Sequence, residues 1–127
     1  MFAPVDPLLS NGMLKEAITF MLTTMEREKD FYKRAAQLEG QNSFNEIYNR
    51  CVAKAVLKYI DVESLVAMAD YKWMKKELVA EFLAHSISWV TIQWIKRGMN
   101  VPVDELADVY LKIFHNAIIE IVTNKNR

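Results

Sequence analysis

Apolar residues recur every three or four positions along most of this chain, which is the spacing of one face of an α-helix. This pattern predicts a first helix over residues 14–25 and a short second helix over residues 31–38. Residues 43–46 (SFNE) fit a capping box, so a third helix is expected to follow it to about residue 59. Residues 61–70 allow one more short helix.

The longest predicted helix covers residues 72–97, about 39 Å at 1.5 Å per residue. It contains an uncharged run, residues 82–95, that is too short to cross a bilayer, which takes about 20 apolar residues. An ordinary surface helix carries a charged face, so this one needs cover on more than one side. Gly98 is placed to end it. A last helix over residues 102–122 then forms an antiparallel hairpin with it.

The side chains of the long helix fall into three stripes when they are arranged at about 100° per residue. Two stripes are bulky, and a narrow stripe of small side chains between them would let another helix approach closely. The first bulky stripe contains Leu78, Phe82, His85, Trp89 and Ile92, the second contains Val79, Leu83, Ile87, Val90 and Trp94, and the small stripe contains Ala80, Ala84, Ser88 and Thr91.

The composition indicates one globular domain. Of the 127 residues, 52% are hydrophobic and 25% charged, and three glycines leave little room for turns. The prolines Pro4 and Pro7 predict an irregular lead-in over residues 1–11, followed by a single all-α domain over residues 12–123. Sixteen basic and sixteen acidic residues cancel, so there is no positive surplus for direct phosphate binding.

The single cysteine, Cys51, excludes an intramolecular disulfide and favours a reducing compartment. The N-terminus lacks the basic and apolar regions of a signal peptide. We therefore expect a soluble, cytoplasmic protein without a membrane segment.

Catalysis and cofactor binding are not predicted. Cys51 with His85 or His115 would supply a thiol nucleophile and its base, but no local signature surrounds the cysteine. The two histidines and the cysteine show no metal-ligand spacing, and no phosphate loop or dinucleotide fingerprint is present. The sequence thus predicts neither an enzyme nor a metal site nor a cofactor.

Two stretches of the sequence are distinctive, residues 81–111 (EFLAHSISWVTIQWIKRGMNVPVDELADVYL) and, earlier, residues 30–38 (DFYKRAAQL). Together they resemble the C-terminal regulatory domain of TetR/AcrR-family transcriptional regulators. The resemblance is sharpest where Trp94 precedes a basic-Gly pair and an acidic helix start follows Pro102, as in regulators of dihydroxyacetone-kinase genes. It spans roughly residues 12–122.

The resemblance implies a helical domain that dimerises through its last two helices, which form a four-helix bundle with those of the partner. It also implies a small-molecule effector, or another protein, bound between the earlier helices and the long one. A complete family member begins with a helix-turn-helix DNA reader. No such segment precedes residue 12, so DNA binding is expected only through an N-terminal unit missing from this chain. The chain is either an excised domain or a natural protein without its DNA reader.

Two sites are predicted on this basis. In the first, small residues meet a twofold-related copy, and the alternative is that helices of the same chain cover every stripe. The predicted dimer interface comprises Ala80, Ala84, Ser88, Thr91, Val109, Ile113, Ala117 and Ile121.

The second site is an effector pocket with adaptable thioethers and a few polar groups among apolar walls. The alternative is plain core, because methionines and aromatics at helical spacing usually pack inside. The predicted pocket comprises Met21, Met25, Tyr48, Cys51, Phe82, His85 and Trp89. We interpret the chain as the ligand-sensing and dimerisation domain of a TetR-family regulator. A stand-alone helical protein–protein interaction module is the alternative.

Overall fold

A computed structural model describes residues 13–39, 43–62, 73 and 75–114. Every regular element in these residues is a helix, so the predicted all-α fold is confirmed. Only the first two residues of the predicted 61–70 helix are described, and they belong to the third helix. The helices are α1 (Leu14–Arg27), α2 (Lys29–Ala36), α3 (Phe44–Val62), α4 (Lys76–Lys96) and α5 (Val103–Phe114).

The start of α3 matches the predicted capping box in part. The backbone N–H of Glu46 donates to Ser43 Oγ at 3.4 Å, which satisfies one of the free amides at the helix N-terminus. Asn45 Nδ2 donates to the Ala36 carbonyl at 3.3 Å and thereby ties the first turn of α3 to the end of α2.

The helix α4 begins four residues later than the sequence pattern predicts. Lys75 has φ −75° and ψ 160°, an extended conformation, and no side chain caps the helix. Trp73 and Lys75 are exposed, whereas burial along α4 begins at Val79 and Ala80. Packing of an apolar face supplies most of the stability of a helix in a protein, so the exposed residues before Lys76 gain little from becoming helical.

The C-terminus of α4 is closed by a Schellman motif, as the position of Gly98 predicts. Gly98 has φ +85°, and its N–H donates to the Ile95 carbonyl at 3.1 Å. The N–H of Met99 donates to the Trp94 carbonyl at 2.8 Å. Met99 also has a positive φ of 55° and is buried, so its side chain adds a hydrophobic contact to the motif.

Polar contacts join α4 and α5 in the order that the predicted antiparallel hairpin requires. Trp94 Nε1 donates to the Val101 carbonyl at 2.8 Å across the turn. Farther from the turn, the Tyr110 hydroxyl lies 3.3 Å from the Ile87 carbonyl oxygen. Contacts therefore move back along α4 as they move forward along α5. The part of the predicted last helix after Phe114 lies outside the described residues.

The most extensive backbone contact in the fold is that of α3 with α4. α2 also packs on α4, and α1 packs on α5. The hydrophobic core runs through all five helices, and its largest fully buried side chains are Leu22, Met25, Tyr48, Ile60, Ile95 and Tyr110.

The small stripe of α4 is buried inside this core, which corrects its predicted assignment to a dimer interface. Ala84 is 0% exposed, and Ala80, Ser88 and Thr91 are also buried within the single chain. The chain's own helices already cover this surface, so no area of it is left for a partner. Small side chains at these positions instead permit the close approach of α3.

α4 also has the length and apolar composition of a membrane-spanning helix, on those two criteria alone. Half of the stretch concerned is buried inside the fold. Core helices of soluble proteins pass the same test, so this is weak evidence for a membrane span.

We predict that Ala84→Glu unfolds the protein, because it places an unpaired carboxylate in a closed core at a cost of several kcal/mol. Ser86→Glu, at an exposed position of the same helix, is the control and should change the free energy of unfolding by no more than about 0.5 kcal/mol. Urea denaturation followed by circular dichroism measures both. An Ala84→Glu protein that stays folded but becomes monomeric would instead support the small stripe as the dimer interface.

Candidate functional site

Three buried hydroxyl groups meet where α3, α4 and α5 converge. The Tyr48 hydroxyl donates to Thr91 Oγ1 at 3.1 Å, and Thr91 Oγ1 lies 2.5 Å from the Tyr110 hydroxyl. Thr91 Oγ1 also donates to the Ile87 carbonyl one turn earlier, at 2.9 Å. Tyr48, Thr91 and Tyr110, here called the hydroxyl cluster, are almost completely shielded from solvent. The hydroxyl cluster thus connects α3, which carries the predicted pocket residues Tyr48 and Cys51, to both α4 and α5.

The hydroxyl cluster is polar but uncharged. Burial raises the pKa of Tyr110 to about 12, although its hydrogen bond to Thr91 works in the opposite direction. Burial also raises the pKa of Tyr48, and the neighbouring Tyr110 adds to that rise, while the bond to Thr91 lowers it. Both phenols therefore remain neutral at physiological pH.

Four of the seven predicted pocket residues lie on the core side of α1 and α3. Met21 Sδ lies 3.5 Å from the Tyr48 hydroxyl oxygen. Cys51 is half-buried and close enough to Tyr48 to raise the pKa of that phenol slightly. Met25 is fully buried in the same hydrophobic core. The structure thus brings Met21, Tyr48 and Cys51 together and keeps Met25 within their core.

The other three predicted pocket residues lie on the surface, which corrects their assignment. Phe82 is 66% exposed and Trp89 64% exposed, and His85 between them is exposed as well. Trp89 and Thr91 are two residues apart and hence about 200° apart around the helix. The exposed part of the first bulky stripe, which contains Phe82, His85 and Trp89, therefore faces away from the hydroxyl cluster.

The exposed residues of α4 form a regular apolar row. Leu78, Phe82, His85 and Trp89, here called the α4 stripe, are separated by four, three and four residues. This spacing is that of the a and d positions at which helices interlock in a coiled coil.

The helix α5 carries a second exposed row, here called the α5 stripe, which consists of Val109 and Ile113. Both residues belong to the predicted dimer interface. Two other members of that interface, Ala117 and Ile121, lie outside the described residues. On another side of α5, Lys15 of α1 lies 3.8 Å from Asp108 in an exposed ion pair.

The described residues offer little for catalysis or metal binding. They contain no group of three His, Cys, Asp or Glu side chains that would hold a metal ion. Cys51 lies beside Tyr48, whereas His85 lies on the outward face of α4. The structure therefore does not place this histidine as a base for the thiol.

Comparison with known protein families gives one match over most of the chain. The family model TetR_C_8, described as "Transcriptional regulator C-terminal region", matches residues 13–116. The chain belongs to this family: it is a TetR-type C-terminal regulatory region. Searches of curated proteins and of solved structures both found no match.

The role of Tyr110 was not predicted from the sequence. The residue is buried on α5. The available signal was the hydroxyl itself, because a buried tyrosine usually finds a hydrogen-bond partner. The small stripe of α4 offered a partner for that hydroxyl, because Thr91 carries a hydroxyl of its own.

We predict that Thr91→Val lowers the free energy of unfolding by about 1–3 kcal/mol, because it removes the group to which both tyrosines bond. Thr24→Val is the matched control, since Thr24 bonds only a carbonyl of its own helix in an exposed position. Urea denaturation of the two variants measures both free energies of unfolding. Equal effects would show that the cluster contributes nothing beyond an ordinary threonine.

We predict that Tyr110→Phe reduces the alkaline sensitivity of the fold. The pKa of Tyr110 is raised from 10.0 to about 12 on folding, so its contribution is complete below pH 10 and is lost as the pH rises towards 12. The free energy of unfolding should therefore fall less steeply between pH 9.5 and about 11.5 in the variant. Parallel curves for the two proteins would contradict the burial of a neutral phenol.

Proposed function

We propose that this domain senses a small molecule and transmits its presence to a dimer interface formed by α4 and α5. The observation that carries the proposal is the α4 stripe, two thirds exposed at Phe82 and Trp89, on the helix whose opposite face holds the hydroxyl cluster. Membership of a regulatory family supports the same reading.

The partner in this proposal is a second copy of the chain. Monomeric proteins rarely leave large apolar patches in water. Covering either exposed ring would remove roughly 100 Å² of apolar surface from water, about 2–3 kcal/mol for each ring. An interface around a twofold axis uses the same patch on both chains, so the α4 stripe would pack on its own counterpart beside the α5 stripe.

The effector would act on the other face of α4. A ligand between α1, α3 and α4 contacts Met21, Tyr48 or Cys51, and a change at Tyr48 reaches Thr91 and Tyr110 through their hydrogen bonds. Since Thr91 belongs to α4 and Tyr110 to α5, both helices of the hairpin respond. A ligand shifts such an equilibrium only as far as it prefers one arrangement over the other.

The output in this proposal is the spacing of two DNA-binding units, one joined to each domain, in a cytoplasmic transcriptional regulator. The family description supports a place at the C-terminal end of such a regulator. The closer relation to regulators of dihydroxyacetone-kinase genes stays a prediction, based on the sequence from Trp94 to Leu106.

Sedimentation equilibrium tests the dimer. The wild-type chain should give twice its mass of 14.8 kDa at micromolar concentration. Phe82→Glu should weaken association by about 30-fold or more, because it replaces a central aromatic contact with a charge that has no partner.

Phe31→Glu provides the matched control, because Phe31 is an exposed phenylalanine on α2, outside both stripes. It should leave the association constant within a factor of about two. A wild-type mass of 14.8 kDa, or equal effects of the two substitutions, would refute the proposed interface.

A further inference from the structure

One buried hydroxyl in the small stripe has no hydrogen-bond partner. Ser88 is 6% exposed, and its Oγ is neither solvated nor bonded. A buried polar group without a partner costs about 1–3 kcal/mol, so folded proteins rarely retain one without a use. On α3, the Oδ1 of Asn49, the residue after Tyr48, is likewise buried and unbonded.

Ser88 lies on the face of α4 that α3 covers. It shares the small stripe with Ala84 and Thr91, and Thr91 is the residue that the Tyr48 hydroxyl of α3 reaches. α3 also makes the most extensive backbone contact with α4. By its position on the helix, Ser88 therefore lies on the side of α4 that faces α3, near the hydroxyl cluster.

The chemistry of this region selects against ions. Among the described residues, no buried side chain carries a charge. A charged ligand would give up its hydration without gaining a counter-ion, which costs several kcal/mol. A neutral ligand avoids that cost.

The unbonded Ser88 oxygen specifies what the ligand brings. A serine Oγ accepts as well as donates hydrogen bonds. A hydroxyl or N–H group on the ligand would satisfy this atom. An apolar body would suit the hydrophobic core to which this face of α4 belongs.

We propose that the region between α3 and α4 at Ser88 binds the hydrogen-bond donor group of a neutral, largely apolar effector. This inference rests on the proposed sensing function and adds the chemical class of the ligand and the residue that reads it. Ser88 then serves binding rather than folding.

The first test needs no ligand. Ser88→Ala removes an unbonded hydroxyl, so the urea midpoint of unfolding should stay the same or rise. Ser86→Ala is the control on the exposed side of the same helix, where Ser86 Oγ donates to the Phe82 carbonyl at 3.2 Å. A clearly lower midpoint for Ser88→Ala than for Ser86→Ala would show that Ser88 is bonded in the folded protein and would overturn the proposal.

The second test measures binding of three probes by isothermal titration calorimetry. Phenol is neutral and donates a hydrogen bond, anisole lacks the donor, and benzoate carries a charge. Phenol should bind best, anisole about tenfold more weakly, and benzoate not measurably. Ser88→Ala should weaken phenol binding about tenfold, and Ser86→Ala should not change it.

The remaining outcomes separate this inference from the proposed function. Preferred binding of benzoate, phenol binding that is insensitive to Ser88→Ala, or no phenol binding at millimolar concentration each overturns the inference. None of these results affects the dimer, whose mass in sedimentation is an independent measurement. A monomeric wild-type protein would instead remove the proposed function itself.

Discussion

The close packing of α3 on the small side chains of α4 determines the rest of this structure. Ala80 and Ala84 let the two backbones approach, and Thr91 fixes the contact by bonding Tyr48 from α3 and Tyr110 from α5. Because α4 turns its small face inward, its row of bulky residues is left outside. The same contact therefore closes the core and exposes Phe82 and Trp89.

The local features of the fold could be predicted because they depend on residues near one another in the sequence. Apolar spacing predicted the helices, Gly98 the left-handed end of α4, and Ser43 the start of α3. The start of α4 was placed too early, because polar residues such as Lys75 are compatible with a helix but have no packing that would hold them in one.

The stripes of α4 were sorted correctly except at Ile92, which is buried although the rest of its stripe is exposed, and two of the stripes were given the wrong neighbours. Periodicity fixes the angles between residues on one helix and does not say which helix covers which side. Small side chains suit close packing within a chain as well as between chains, so Ala84 was ambiguous. Bulky side chains at helical spacing occur in cores as well as at interfaces, so the sequence did not show which way Phe82, His85 and Trp89 face. The structure shows that they face outward.

A single helix thus has one face buried in its own domain, where Thr91 bonds Tyr48 and Tyr110, and an exposed aromatic face that we propose a second copy of the chain covers. Distance measurement by pulsed electron spin resonance tests this most directly, with a spin label at Ser86→Cys in a Cys51→Ser background. Helices that pack along the α4 stripe bring the two labels within roughly 20 Å, given helix diameters of about 10–12 Å. The account would be contradicted if the two labels showed no dipolar coupling. It would also be contradicted by a separation beyond roughly 40 Å, which is about the diameter of a whole domain or more.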